Sequence, residues 1–523
     1  YCTLTNTNGA GSWGAATKDG DWDLAGVTVI VAGDNDDAGR KRNQAVASWA
    51  YDHGASEVLA VRWPKGVSEG YDVTDFVREH GGADDPDGAA EALGRLLDDA
   101  EEMPREATKK PQDFPLTDAG NAEAFVYLHG ADWRYDHRQR HWLHWDGNVW
   151  REDVADELHA AALLTARQRL RWAADLPDLE ACRSAAKWAL GSESRRRLDD
   201  MVALARSMEP VRDTGEGWDE FPMLLAVENG TIDLSTGQLR EGRRKDKLRI
   251  CAPVHYNPEA TCPLFETFLA QIMDGDQELV EYLQRVFGYC LTGDISEQAL
   301  FILWGTGANG KTTLTEVIRG VLGDYAAQAP PELFLARRHV DVEAASPERA
   351  RLVSKRVVFS AELTGGRTLD EALVKQITGG EPLSARYLYG NTFEFHPVFK
   401  PFLITNHRPA IRGTDYAIWR RVSLVPFVVQ IPPARQDRHL GAKLLKEASG
   451  ILAWMVRGCL EWQRRGGLEP PETVQAAVRE YRESEDVLGR FLADRCSVGA
   501  TYSVAAADLY RELRDWAEEA GER

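Results

Sequence analysis

Phe301-Ile-Leu-Trp304-Gly305-Thr306-Gly307-Ala308-Asn309-Gly310-Lys311-Thr312-Thr313 decides the fold of this 523-residue chain. Phe301–Trp304 is an apolar run of strand length, Gly305 to Thr312 spell GxxxxGK[ST], and residues 313–322 continue with helical spacing. In that strand-loop-helix setting the glycines let backbone N–H groups turn inward around an anion, and the helix N-terminus adds its dipole. Gly305, Thr306, Gly307, Ala308, Asn309, Gly310, Lys311, Thr312 and Thr313 are therefore the nucleotide-binding candidates. Lys311 is expected to reach the β- and γ-phosphates of ATP, and the Thr312 hydroxyl to ligate Mg²⁺. The bland alternative is a chance glycine-rich turn, which the flanking strand and helix argue against.

Three later stretches extend this reading. Arg356-Val-Val-Phe-Ser-Ala-Glu362 ends an apolar strand on a carboxylate, where open α/β sheets gather their ligands. Glu362 is the candidate water-polarising base or metal ligand. Ser360 and Ala361 stand where another acid is common, so metal assistance there is indirect. Phe399–Asn406 is a further strand that ends in an amide, and Asn406 is positioned to sense the γ-phosphate or orient water, or else simply forms a turn before Pro409. Trp419-Arg420-Arg421 precedes the apolar run 422–429. An arginine at a subunit edge stabilises transition-state charge on a neighbour's nucleotide, and Arg421, nearer the strand, is preferred over Arg420. Two surface arginines without such a role are the alternative.

With these elements in order, the chain from about residue 116 resembles a superfamily 3 helicase of the AAA+ class. It is similar to the phage and plasmid primase-helicases related to the poxvirus helicase-primase. The resemblance is carried by Asn229–Gly237, Gly288–Gly293, Asn309-Gly310-Lys311, Lys375–Gly380, Ala385-Arg386, Thr405–Pro409 and Trp419–Arg421. It implies ATP and Mg²⁺ as cofactors, a homo-oligomeric ring, expected to be a hexamer, and single-stranded or forked DNA as partner. Replication proteins of the element or its host are further expected partners. In the family, DNA-contacting loops follow the acidic strand. By that resemblance Lys375 and Arg386 are DNA-binding candidates, with His396 and Lys400 as lesser ones and a solvated charged face as the alternative. Trp133, Trp142, Trp145 and Trp150 stack bases or pack a core, and packing is favoured.

The N-terminal segment alternates strand (27–32), helix (38–53) and strand (57–62), a βαβ reading. Asp34 and Asp36 lie two apart at a strand end, so they can share one side and grip a divalent cation. A capped acidic turn is the alternative. With Tyr71-Asp72-Val-Thr-Asp75-Phe76 and Gly9-Ala-Gly-Ser-Trp13, this segment resembles a Toprim module, the metal-dependent unit of bacterial-type primases. The module's glutamate would lie before Tyr1, which marks the segment as a partial Toprim unit, from a longer primase or from one that has lost priming.

The fold class expected is α/β and multidomain. Residues 1–103 form a partial Toprim-like unit, 104–115 a proline-bearing linker and 116–263 an α+β helicase-associated domain. Residues 264–467 form the P-loop AAA+ ATPase core, and 468–523 a helical segment that in the family is often a winged helix. The net charge of −20 argues against a general nucleic-acid coat and allows one local DNA channel. Seven scattered cysteines without a CxxC pair exclude a zinc ribbon or disulfide framework and fit a reducing cytoplasm. No apolar run is long enough for a membrane span and no secretory leader is visible. Two rival readings stay open. One is an ATP-switched replication initiator without processive unwinding; the other is a P-loop enzyme joined to a Toprim nuclease.

Overall fold

The computed structural model describes residues 24, 27–64, 66–82, 84–103, 113–336, 347–360, 367–386, 391–413 and 415–521. They form two compact units, Tyr1–Leu128 with His159–Ala205, and His129–Leu158 with Arg206–Arg523.

In the first unit, β1 (Thr28–Val31) lies parallel to β2 (Glu57–Ala60), with Thr28 opposite Glu57, and the helix Asp37–Asp52 connects them. This is the expected βαβ crossover. Val31, Val46, Ala50 and Val58 close its core. A helix Pro86–Asp98 follows, then β3 (Glu101–Glu102) antiparallel to β2. Elsewhere in this unit Asn121, fully buried, takes N–H groups from Arg169 (2.6 Å) and Trp188 (3.1 Å) and donates to Ser192 (3.0 Å). Arg169 also donates to the carbonyls of Phe114 and Pro115, so these buried polar groups are satisfied within the unit.

The second unit opens on a four-stranded sheet ordered β6-β5-β4-β7. Its strands are β4 (Trp133–Asp136), β5 (His141–Trp145), β6 (Trp150–Glu152) and β7 (Arg212–Asp213). Asp146-Gly147 forms the β5–β6 turn, with Gly147 at φ 101°. Trp133 and Trp150 are buried, and the Trp150 indole donates to the Arg244 carbonyl at 2.9 Å. Trp133 and Trp150 are thus packing, as favoured from the sequence, while Trp142 and Trp145 are half-buried.

The strands β8 (Leu224–Val227), β9 (Gly230–Asp233) and β10 (Gln238–Arg240) make an antiparallel meander. Its Leu225, Val227, Ile232 and Leu234 share one core with Phe265, Phe287, Phe301 and Val317. A boundary at 263/264 is therefore not present, because a domain owns its core and this one spans both sides.

The central sheet is built from β11 (Leu300–Trp304), β12 (Ala326–Ala329) and β13 (Val357–Ser360). A side hairpin of β14 (Leu383–Arg386) and β15 (Thr392–Phe395) follows, then β16 (Lys400–Thr405) and β17 (Val422–Pro426). Its order is β12-β13-β16-β11-β17, and every pair is parallel. Strands covered on both faces read as continuous apolar runs, which is why all but β12 were visible in the sequence. Phe301 and Phe402 stack at 4.7 Å across β11 and β16.

The helix Glu472–Glu485 sends Tyr481 into the core beneath β17, where its hydroxyl donates to the Pro409 carbonyl. The expected segment start at 468 thus falls inside this unit. The remaining helices, Val487–Arg495 and Ala506–Glu519, meet through Phe491 and Trp516, and no strand follows residue 468 among the described residues. No helix among the described residues is long and apolar enough to cross a membrane.

Candidate nucleotide site

β11 and β17 run side by side, and the loop after β11 is clamped against the exit of β17. Asn309 donates its amide to the Phe427 carbonyl (3.3 Å), and Ile431 N–H donates to the Ala308 carbonyl (2.8 Å). Gly310 sits at φ 85°, and a Cβ there would lie 2.6 Å from the Ile272 side chain. Only glycine meets both demands at once.

Lys311 opens the helix Lys311–Leu322 and is 4% exposed. Its ammonium donates to the Gly305 carbonyl at 2.6 Å, to Asn309 Oδ1 at 3.0 Å and to Asn406 Oδ1 at 3.1 Å. Among the described residues its acceptors are three neutral oxygens. The fold thus joins Lys311 to the amide that ends β16, a contact that sequence order alone did not specify.

A cavity of about 490 Å³ opens over this loop. Thr312 stands exposed on it, at the helix N-terminus where the peptide dipoles and free N–H groups favour an anion and its cation. A hydroxyl beside that anion-receiving loop is a fitting ligand for a phosphate-bound Mg²⁺. Ser360, at the end of β13, is buried and accepts the Ile404 N–H at 3.3 Å, so its hydroxyl belongs to the sheet. Glu362 lies outside the described residues. Glu316, Arg319 and Gln328 line the cavity and were not singled out beforehand. Glu316 and Arg319 follow Thr312 by four and seven residues, a one-face helical spacing that could have flagged them. Gln328 on β12 holds Arg319 at 2.8 Å and carried no sequence signal.

Arg421 corrects an expectation. It is 9% exposed, donating Nε to Thr378 Oγ1 (3.0 Å) and Nη1 to the Ala417 carbonyl (2.5 Å). Its closeness to β17, the ground for preferring it, is what draws it under the helix Glu371–Thr378. Arg420 is the exposed member of the pair, and touches Gln298 at 2.6 Å.

Lys400 corrects another. It is 2% exposed and donates to the carbonyls of Thr292 and Val398, with the Tyr289 ring 4.7 Å away. Burial pushes its ammonium down to about 7. A side chain so enclosed cannot meet DNA. Lys375 is paired with Asp415 at 2.8 Å, Arg386 is exposed at the end of β14, and His396, also exposed, hydrogen-bonds the Gly380 carbonyl through Nδ1.

In the first unit, Asp36 is a helix cap, accepting the Gly39 N–H at 2.6 Å. Gly39 is required there, since a Cβ would sit 2.0 Å from the Asp34 carbonyl oxygen. Asn35 N–H bonds the Tyr71 carbonyl, and Asp72 caps the helix Val73–Glu79 through Asp75 N–H. The two acidic loops thus meet, but as capped turns. Among the described residues no three His, Cys, Asp or Glu side chains gather as a metal site, so the cation grip expected of Asp34 and Asp36 gains no further ligand. Gly9–Trp13 lies outside the described residues.

Residues 122–274 match the family model described as D5 N terminal like. A protein of Acanthamoeba polyphaga mimivirus, named as a candidate helicase, is 29% identical over 321 residues, covering 57% of this chain and 33% of its own. The primase D5 of fowlpox virus is 25% identical over 313 residues, 57% of this chain and 37% of its own. The chain is similar to these and other viral proteins named as helicases and primases. It spans about a third of the length of these two relatives. The solved C-terminal region of NrS-1 is 11% identical, with a TM-score of 0.40 over 69% of this chain and 75% of that one.

Proposed function

We propose that this chain is an Mg²⁺- and ATP-dependent DNA helicase motor, serving replication of a phage, plasmid or related element as a homo-oligomeric ring, most simply a hexamer. The observation that carries the proposal is the Lys311–Asn406 contact at 3.1 Å, inside a 490 Å³ cavity at the carboxyl end of an all-parallel sheet. The match of residues 122–274 to the D5 N terminal like model and the helicase and primase names of the relatives support DNA as the substrate.

In this reading Lys311 exchanges its neutral acceptors for the β- and γ-phosphates and neutralises the charge that builds during transfer. Thr312 holds the Mg²⁺, which supplies charge neutralisation across the phosphates. Asn406, released from Lys311, orients the attacking water, and Glu362 accepts its proton. Arg420 reaches a neighbouring subunit's nucleotide, so an isolated chain hydrolyses ATP poorly. Arg386 and His396 face DNA from the β14–β15 hairpin and its exit.

The test compares wild type with Lys311→Ala for DNA-stimulated ATPase and for strand displacement on a forked duplex. Loss of one donor of this kind lowers turnover by about 10²–10³. Wild-type turnover in Lys311→Ala would remove the motor site. ATP hydrolysis without strand displacement by the wild type would instead favour an ATP-switched initiator.

A further inference from the structure

A second cleft of about 540 Å³ lies in the larger unit and shares no residue with the phosphate cavity. One wall is the β5–β6 hairpin and another is the turn 351–355 that leads into β13. Four cations line it, Arg151, Arg249, Arg351 and Lys355, against two carboxylates, Glu152 and Asp219. That ratio reverses the chain's own, in which 82 acidic residues face 62 basic ones.

The four cations are not equally engaged. Arg249 is held 3.2 Å from Asp219 and 3.8 Å from Asp136. Arg151 gives Nε to Asp146 at 2.6 Å. Lys355 donates to the Asp324 carbonyl at 2.5 Å, a neutral acceptor. Burial holds its ammonium below the ordinary lysine value; the Asp324 and Asp219 carboxylates oppose that shift and Arg351 reinforces it. Arg351 itself is exposed and has no hydrogen bond or ion pair to any described residue. His141 also lines the cleft, with its buried Nε2 turned to the Asp136 carboxylate at 4.0 Å.

Two neighbouring cations without a carboxylate bridge between them form a pair that an oxyanion satisfies. The floor narrows its class. Trp150 is 1% exposed and Leu143 2%, so the indole face is not open for a base to stack on. Recognition must therefore run through phosphate rather than base.

We propose that this cleft binds the phosphodiester backbone of a single nucleic-acid strand through Arg351 and Lys355, as a contact separate from the β14–β15 hairpin. The turn that carries Arg351 and Lys355 enters β13 directly, so the strand is held next to an element of the phosphate cavity. This inference rests on the DNA reading of the function.

The test is anisotropy of a fluorescein-labelled oligothymidylate, titrated with salt in the absence of nucleotide, on the full chain. Each phosphate contact to a single strand contributes about 0.7 to the slope of log affinity against log salt. Arg351→Glu should bind about five- to tenfold more weakly at physiological salt, and Arg351→Glu with Lys355→Gln should lower the slope by about 1.4. Both variants should bind a fluorescent ATP analogue like wild type, which verifies folding. Arg195→Glu, at an arginine side chain 94% exposed in the other unit, is the charge-reversal control. An unchanged slope in the double variant, or an equal fall in Arg195→Glu, overturns the cleft while leaving the DNA reading standing. A wild type that binds no oligothymidylate at any salt ends both.

Discussion

Asn406→Asp should weaken MgATP binding by about two to three powers of ten, whereas Asn406→Ala should change it less than about fivefold. The reason lies in the Lys311 ammonium, which among the described residues donates to three neutral oxygens that must be given up to phosphate. Asp at position 406 would place a full negative charge about 3.1 Å from Nζ. Two unit charges at that distance attract by about 5 kcal/mol at an effective dielectric constant of 20. The existing amide contact already contributes about 1 kcal/mol of this, leaving roughly 4 kcal/mol as the upper limit of the new hold on Lys311. At about 1.4 kcal/mol per tenfold, that limit corresponds to about a thousandfold, and the repulsion between Asp and the γ-phosphate acts in the same direction. Asn406→Ala leaves the Gly305 and Asn309 acceptors in place, so Lys311 stays positioned and the loss falls on turnover instead. Titration with a fluorescent ATP analogue, paired with steady-state ATPase, reads both. Equal ATP affinity in Asn406→Asp and wild type would refute the idea that Lys311 must leave Asn406 to receive phosphate.

Two further predictions follow from the buried cations. Arg420→Ala should fold normally and abolish ATPase of the assembled protein, while Arg421→Ala should lower thermal stability, by about 2–4 kcal/mol for a buried donor network broken; a stable but inactive Arg421→Ala would return the finger to that residue. Lys400, depressed from 10.5 to about 7, binds fewer protons folded than unfolded between those values, so its stability cost is full below pH 7 and fades as pH rises toward 10.5. Lys400→Met should remove up to roughly 5 kcal/mol of that cost, less about 1–3 kcal/mol for the Thr292 carbonyl left without a donor. The stabilisation should shrink with rising pH, and a thermal-shift difference constant from pH 6.5 to 10 would contradict it.

The sequence by itself determined the phosphate loop, the strands β11, β13, β16 and β17, the N-terminal βαβ unit and the family resemblance. Each of these is a local signal. Gly310 at positive φ, an apolar run buried on both faces and a lysine after two spaced glycines all record their environment in the residues themselves. What only the tertiary structure decided is where a polar side chain spends its hydrogen bonds. Arg420 and Arg421 are identical in sequence terms, yet one is exposed and the other lies under Thr378. Lys400 reads as a surface cation until residues more than a hundred positions earlier, Tyr289 and Thr292, are packed over it. Asp36 reads as a metal ligand until Gly39 brings a helix terminus to its carboxylate. The expected boundary at residue 263 failed for the same reason, since β8 and β9 bury their apolar faces in a core supplied mainly by later residues. Periodicity and composition fix which residues must leave water, but the partner that receives each one is a property of chain segments distant in sequence, and only the packed fold selects it.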